Sequence, residues 1–180
     1  MNKKQLVAFS FILLLVVLGN VSAEEGSLGD ESWKVEKRID RIFYFTHGTT
    51  VWGHEFGFYK TKDCHGDILW LTFSARDEKI KGFDGTETLI SLDVDGKDFR
   101  IKSTMHYMGV VGFTHVMSFY DWFMGTAEMD ALTKGRYVKV QILEPKGLKA
   151  LLDIKDDRFS LKGLIAAKKK TKSACMDETR

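Results

Sequence analysis

Between Leu89 and Lys102, two runs of β-forming residues flank Val94-Asp95-Gly96-Lys97. Asp-Gly between alternating apolar positions is a strong hairpin signal, because a two-residue type I′ turn needs positive φ at both central residues. Pairing about that turn sets Val94 opposite Lys97, Leu92 opposite Phe99 and Ile90 opposite Ile101. One face of the hairpin is then almost wholly apolar. The other sets Ser91 opposite Arg100 and Asp93 opposite Asp98.

The rest of the chain extends this β reading. Trp33, Val35, Ile39 and Ile42 to Phe45 carry β-formers, although Glu36 to Arg41 also suits a short helical turn. Val51 to Tyr59 is apolar and aromatic but broken by Gly53 and Gly57, which predicts a bulged or irregular strand. Ile68 to Phe73 is a short apolar run bounded by Gly66 and Arg76-Asp77, the pattern of a buried strand. Met105 to Met124 is rich in Met, Phe, Tyr and Gly and sets no register. Thr126 to Lys134 predicts one short helix, with Thr126 as N-cap, Met129 and Leu132 on one side and Gly135 as C-cap. Val138, Val140 and Ile142 then alternate with Lys139 and Gln141. Glu144-Pro145-Lys146-Gly147 turns the chain, and Asp156-Asp157 turns it again before Phe159. In the final element Leu161, Leu164, Ile165 and Cys175 are expected on one helical stripe. The fold class expected is mainly β: an antiparallel β-sandwich or barrel-like sheet with one short inserted helix and a C-terminal helix. No repeat, linker or second domain interrupts residues 33–176, which are read as one domain followed by a tail at 177–180.

The first 23 residues have a different composition. Lys3 and Lys4 precede an apolar run from Leu6 to Leu18 broken by Ser10, and the small Ala23 follows a compatible Val21 at cleavage spacing. This is the order of a secretory signal peptide, and the run is too short for the ~20 residues that span a bilayer as a helix. Residues 24–32 read as a flexible acidic leader. The expected localisation is periplasmic or secreted, with no transmembrane segment after cleavage. Removing residues 1–23 takes two of 27 basic residues and no acid, leaving 25 of each sign. A bulk basic field for nucleic acid is therefore absent. Lys168-Lys169-Lys170-Thr171-Lys172 reads as the solvated face and last turn of a helix, where cations suit the dipole, in preference to a contact with phosphate or anionic lipid.

Two cysteines in an exported chain favour one disulfide, Cys64 to Cys175. Such a bridge closes a loop of roughly a hundred residues and on chain-entropy grounds stabilises by ~4–5 kcal/mol. No Cys-x-x-Cys pair favours a metal site instead.

The chain also resembles a known layout. Trp33 opens the domain, Cys64 precedes an aliphatic strand, and the Asp-Gly hairpin follows. Then come Met129 to Val140 as short helix and alternating strand, and Phe159-Ser160-Leu161-Lys162-Gly163-Leu164 leading through Ala166 and Ala167 to Cys175. This is similar to exported β-proteins of the VasI (type VI secretion-associated) and invasion-associated locus B families. The resemblance implies an exported β fold with a Cys64–Cys175 bridge. Its shared segments are packing and disulfide signatures, none of them catalytic.

No local motif supplies a reaction. His54-Glu55 opens like a zinc-protease signature, but Phe58 stands where the second histidine belongs. His47, His54, His65, His106 and His115 have no metal-ligand spacing. Asp93 to Asp98 lacks the spacing and closing Glu of a calcium loop. Ser74 and Ser118 sit in no nucleophile elbow, and Cys64-His65 offers a thiol that the disulfide would consume. No catalytic residue, metal ligand or cofactor is assigned. The remaining candidates are Tyr107, Phe113, Phe119, Tyr120, Trp122 and Phe123, which with neighbouring methionines form either the second half of the core or an adaptable apolar surface for a partner. The expected function is therefore non-enzymatic: binding another envelope or secreted protein as an accessory factor. The alternative is a small periplasmic hydrolase, or an enzyme inhibitor, whose site is assembled in space.

Overall fold

The computed structural model describes residues 33–38, 41–51, 53–61 and 63–178. The expected signal peptide and leader lie outside them, as does the very end of the tail. Among the described residues, nine antiparallel strands form one sheet: β1 (Lys34–Arg38), β2 (Arg41–His47), β3 (Glu55–Lys60), β4 (Ile68–Ala75), β5 (Glu87–Val94), β6 (Lys97–Val111), β7 (Thr114–Tyr120), β8 (Tyr137–Glu144) and β9 (Asp156–Ser160). Their order is β1-β2-β3-β4-β7-β6-β5-β8-β9. The expected β class holds.

The hairpin about Asp95-Gly96 has the register read from the sequence. Val94 pairs with Lys97, Leu92 with Phe99, Ile90 with Ile101, and Asp93 with Asp98. Asp95 and Gly96 have φ of 47° and 94°, as a type I′ turn requires. The Met105–Met124 stretch, unreadable in advance, is a second hairpin. β6 outruns β5, which it leaves at Thr104, and continues with β7 to a two-residue turn at Gly112-Phe113.

The sheet curls until its two ends meet. Gly48, just after β2, forms a β-bridge with Phe159 of β9, and the Thr49 amide donates to the Arg158 carbonyl at 2.8 Å. Trp33 spans the same seam, its indole N–H donating to the Ser160 carbonyl at 2.9 Å. Inside lies the main core, with Tyr44, Phe56, Phe58, Leu69, Leu71, Phe73, Phe119 and Phe159 among its fully buried side chains.

Short helices fill the connections: a 3₁₀ turn at Glu78–Phe83, α1 (Thr126–Lys134) and α2 (Lys146–Leu151). The long C-terminal helix α3 (Leu164–Glu178) packs on β1 and β2.

Three expectations are corrected. Ile165 is 51% exposed, while Leu164, Ala167, Thr171 and Cys175 are buried. Those four recur at helical spacing, whereas Ile165, one position on, is rotated about 100° toward solvent. Asp156-Asp157 opens β9 instead of turning, because the Asp157 carboxylate is taken up by neighbouring backbone amides. Thr126 is the first residue of α1, and Gly125 takes the N-cap.

Cys64 and Cys175 are joined, with Cα atoms 5.8 Å apart. The bridge pins the end of α3 to the loop between β3 and β4, close to where β3 ends at Lys60.

Candidate functional site

The most concentrated chemistry lies at the start of β3, where the sheet closes. Gly53 ends the loop out of β2, and His54 is placed directly before the first strand residue. At this point β3 has diverged from β4: their last pair is Glu55 with Thr72. The Ser74 amide, which points toward the missing strand, donates to His54 Nε2 at 3.2 Å instead. A side chain thus replaces a ladder carbonyl, satisfying a backbone donor that the divergence would leave unpaired.

The other ring nitrogen faces the sheet's opposite end. His54 Nδ1 lies 2.9 Å from Asp157 Oδ2, and the two side chains are 1% and 0% exposed. Asp157 also accepts from the amides of Thr50 (2.9 Å), Val51 (3.1 Å) and Arg158 (2.7 Å). Burial pushes its carboxyl up, but hydrogen bonds from His54 and these three amides outweigh that and hold it below the ordinary carboxylate range. The carboxylate packs so tightly on Gly48 that a Cβ there would sit 2.3 Å from Oδ2.

These contacts fix the imidazole tautomer. An ionised Asp157 only accepts, so Nδ1 carries the proton; the Ser74 amide only donates, so Nε2 presents its lone pair. The Ser74 hydroxyl also lies 3.2 Å from Nε2. Phe73 lies against the ring with centroids 4.4 Å apart, fixing its plane.

Ser74 is half-buried on the outer face of β4, in the wall of a groove of about 300 Å³. Trp70, Thr72 and Val116 form its sheet side, and Met108, Val111 and Thr114 come from the β6–β7 arm. A β-bulge at Met108 makes that wall: the register steps from Tyr107–Met117 to Gly109–Val116, leaving Met108 as the extra residue, 56% exposed. Glu55 lies at one edge. It accepts from the Nη1 and Nη2 groups of Arg38, each at 3.2 Å, and from the Trp70 indole N–H at 2.8 Å.

The aromatic residues singled out in the sequence do not form one patch. Phe119 is fully buried in the main core, and Trp122 is packed against it. Tyr107 also packs on the core, its hydroxyl 2.9 Å from His115 Nδ1. Tyr120 is on the outer face, stacked on His106 with centroids 4.1 Å apart. Phe113 stands 95% exposed at the tip of the β6–β7 arm, whereas Phe123 is 63% exposed beyond the opposite end of β7, beside Gly66. Around Phe113 the arm also exposes Met108, Val110 and Val111.

Sequence reasoning missed the Asp157–His54–Ser74 chain because its members are 20 and 83 positions apart and share no motif. Asp157 looked like a turn residue. The available signal was weak: a lone histidine between Gly53 and an aromatic strand.

Among the described residues, no group of three or more His, Cys, Asp or Glu side chains is placed to hold a metal ion, and no helix is long and apolar enough to cross a membrane. Comparison with protein-family models, curated proteins and solved structures finds no match to this chain.

Proposed function

We propose that the protein is an exported accessory factor of the bacterial envelope that works by binding another envelope or secreted protein. The observation that carries the reading is the β6–β7 arm. Monomer surfaces seldom gather large apolar side chains into one projecting element without a use for it. Here Phe113, Val111, Met108 and Val110 are 95%, 69%, 56% and 55% exposed within six residues of each other. The disulfide and the signal-like first 23 residues support export, and the resemblance to VasI-like proteins agrees with an accessory role.

The arm suits a contact with an apolar segment of the partner. Its side chains offer area without charge, and a bulged hairpin holds them in a defined direction. A photo-crosslinking residue placed at Phe113 in the producing cell tests this. A discrete adduct is expected there and at Val111, but not at Lys97 on the turn of the other hairpin. Phe113→Asp combined with Val111→Asp should abolish capture of the same adducted protein by the purified chain. Equal crosslinking at all three positions, or none at Phe113, would overturn the reading.

A further inference from the structure

The outward side of α3 combines charge and apolarity in a way that its packing on β1 and β2 does not require. Leu164, Ala167, Thr171 and Cys175 are its buried side. At about 100° per residue, Ile165, Lys169, Lys172 and Met176 fall together in an arc of about 60° on the exposed side. Ile165 is 51% and Met176 47% exposed, and the two lysines between them are exposed as well. Exposed lysines elsewhere answer carboxylates: Lys102 with Glu87, Lys134 with Asp130 and Lys139 with Asp156. Lys169 and Lys172 meet no carboxylate among the described residues. Lys168 borders the stripe with its ammonium on Asp67, and Asp177 lies on the other flank with Lys170.

We propose that α3 lies along a bilayer surface of anionic phospholipid, with this stripe as the contact. Charge complementarity selects the occupant. Ile165 and Met176, about 16 Å apart along the helix, enter the boundary between headgroups and acyl chains. Lys169 and Lys172 stand between them, and their long stems keep the ammonium groups among the lipid phosphates. Every basic residue of α3 is a lysine, a point charge suited to a field of mobile anions; a fixed carboxylate or phosphate is better matched by the arginine fork. The fold presents the stripe without rearrangement, because the Cys64–Cys175 bridge holds the buried side of the helix down. Cys64 precedes β4, whereas the β6–β7 arm leaves the sheet where Ala75 at the end of β4 pairs with His115. The two surfaces are distinct, and this contact does not rest on the binding role of the arm.

The test is sedimentation with vesicles, using the disulfide-bonded chain without residues 1–23, whose apolar run would bind bilayers by itself. Binding is expected to vesicles of phosphatidylcholine and phosphatidylglycerol in equal parts at low salt. It should be lost at high salt and absent with phosphatidylcholine alone. A lysine near such a surface contributes about five-fold in partitioning, so Lys169→Gln with Lys172→Gln should weaken binding about 25-fold. Ile165→Ser with Met176→Ser should weaken it about ten-fold while keeping its salt dependence. All four positions are exposed, so the melting temperature should not change. Lys146→Gln with Lys149→Gln on α2 makes the same change in net charge and should leave binding as it was. Equal loss in that control, binding to both kinds of vesicle, or binding to neither would overturn the proposal. Retention on immobilised poly-L-glutamate without vesicle binding would also overturn it and assign the stripe to an acidic polypeptide.

Discussion

Strand β3 has a buried aspartate at each end, and the two are held in different ways. At its start, Asp157 is bound by the amides of Thr50, Val51 and Arg158 and by one imidazole. At its finish, Asp67 accepts from Lys60 Nζ (2.7 Å), Lys168 Nζ (2.7 Å) and the Tyr44 hydroxyl (2.6 Å). Burial pushes the Asp67 carboxyl up, but those three side chains outweigh it and hold it below the ordinary range. The Tyr44 phenol is pushed well up by burial and by the Asp67 charge. The first aspartate is therefore stabilised by backbone dipoles that exist only when the loop from Gly48 to Val51 is folded. The second is stabilised by full charges on side chains, beside a covalent bridge. A seam made of backbone fails when its loop opens; a clasp made of charges responds to protonation and to loss of one partner.

The largest effect is expected at the covalent end. The Cys64–Cys175 bridge spans a sequence separation of 111, which in the chain-entropy account corresponds to about 4–5 kcal/mol. Cys175→Ser should lower the urea midpoint accordingly and expose the end of α3 to proteolysis before the rest of the chain. Free-thiol titration of the unreduced, denatured protein checks the starting point: fewer than one reactive thiol per chain is expected. If proteolysis of Cys175→Ser instead began in the Gly48–Val51 loop, the two ends would not be independent.

Next comes the backbone end. Asp157→Ala leaves His54 Nδ1–H and three amides without their acceptor in a buried site, which should cost about 3–4 kcal/mol. Hydrogen exchange should rise first at Thr50, Val51 and Arg158. Exchange rising equally at Lys60 and Lys168 would show that the seam and the charge cluster open together.

What could be read in advance follows the same division between local and distant causes. The Asp95-Gly96 hairpin was legible because its turn chemistry and its alternating faces lie within fourteen residues and agree with each other. The pairing of Cys64 with Cys175 was legible because only two cysteines exist. The second hairpin was not, since Gly109 and Gly112 both take positive φ and the bulge at Met108 shifts the period by one. Asp157 was misread because an aspartate's preference for turns is a local rule, and here a loop more than a hundred residues away supplies its donors. The stripe on α3 was placed one residue off at Ile165, because the sequence shows apolarity without showing which side faces β1 and β2. Ser74 lies beside His54 through the pairing of β3 with β4, but Asp157 reaches His54 only through the sheet's closure, which no spacing encodes.

Acid separates the ends by a smaller amount. Both carboxyls have folded pKa values below the ordinary one, so each contributes stability above the unfolded pKa of about 4. That contribution begins to fade below about pH 5 and is lost as pH falls through the lowered folded values. Asp67→Asn should cost about 2–3 kcal/mol at pH 7, because Lys60, only 6% exposed, then faces a neutral amide. The gap from wild type should close as pH falls toward 2. Urea midpoints at pH 7, 5 and 3 measure it; a gap independent of pH would mean that the shape of Asp67, and not its charge, matters.

The smallest expected effect tests how far the backbone seam extends past Asp157. Trp33 stands before β1 and donates its indole N–H to the Ser160 carbonyl, at the other end of β9. Its ring is stacked on Phe58 with centroids 6.2 Å apart and lies along Gly163, where α3 begins. Trp33→Phe keeps an aromatic ring there but removes the donor, leaving the Ser160 carbonyl unpaired beside the core. A single neutral hydrogen bond of this kind contributes about 1 kcal/mol. If Trp33 and Asp157 close one seam, their effects should not add: in Asp157→Ala, where β9 has already loosened, Trp33→Phe should cost less than half as much. A double-mutant cycle on urea midpoints gives the coupling directly. Additive costs would mean that Trp33 holds the entry to α3 by itself, and that the seam is confined to the contacts between Gly48 and Phe159.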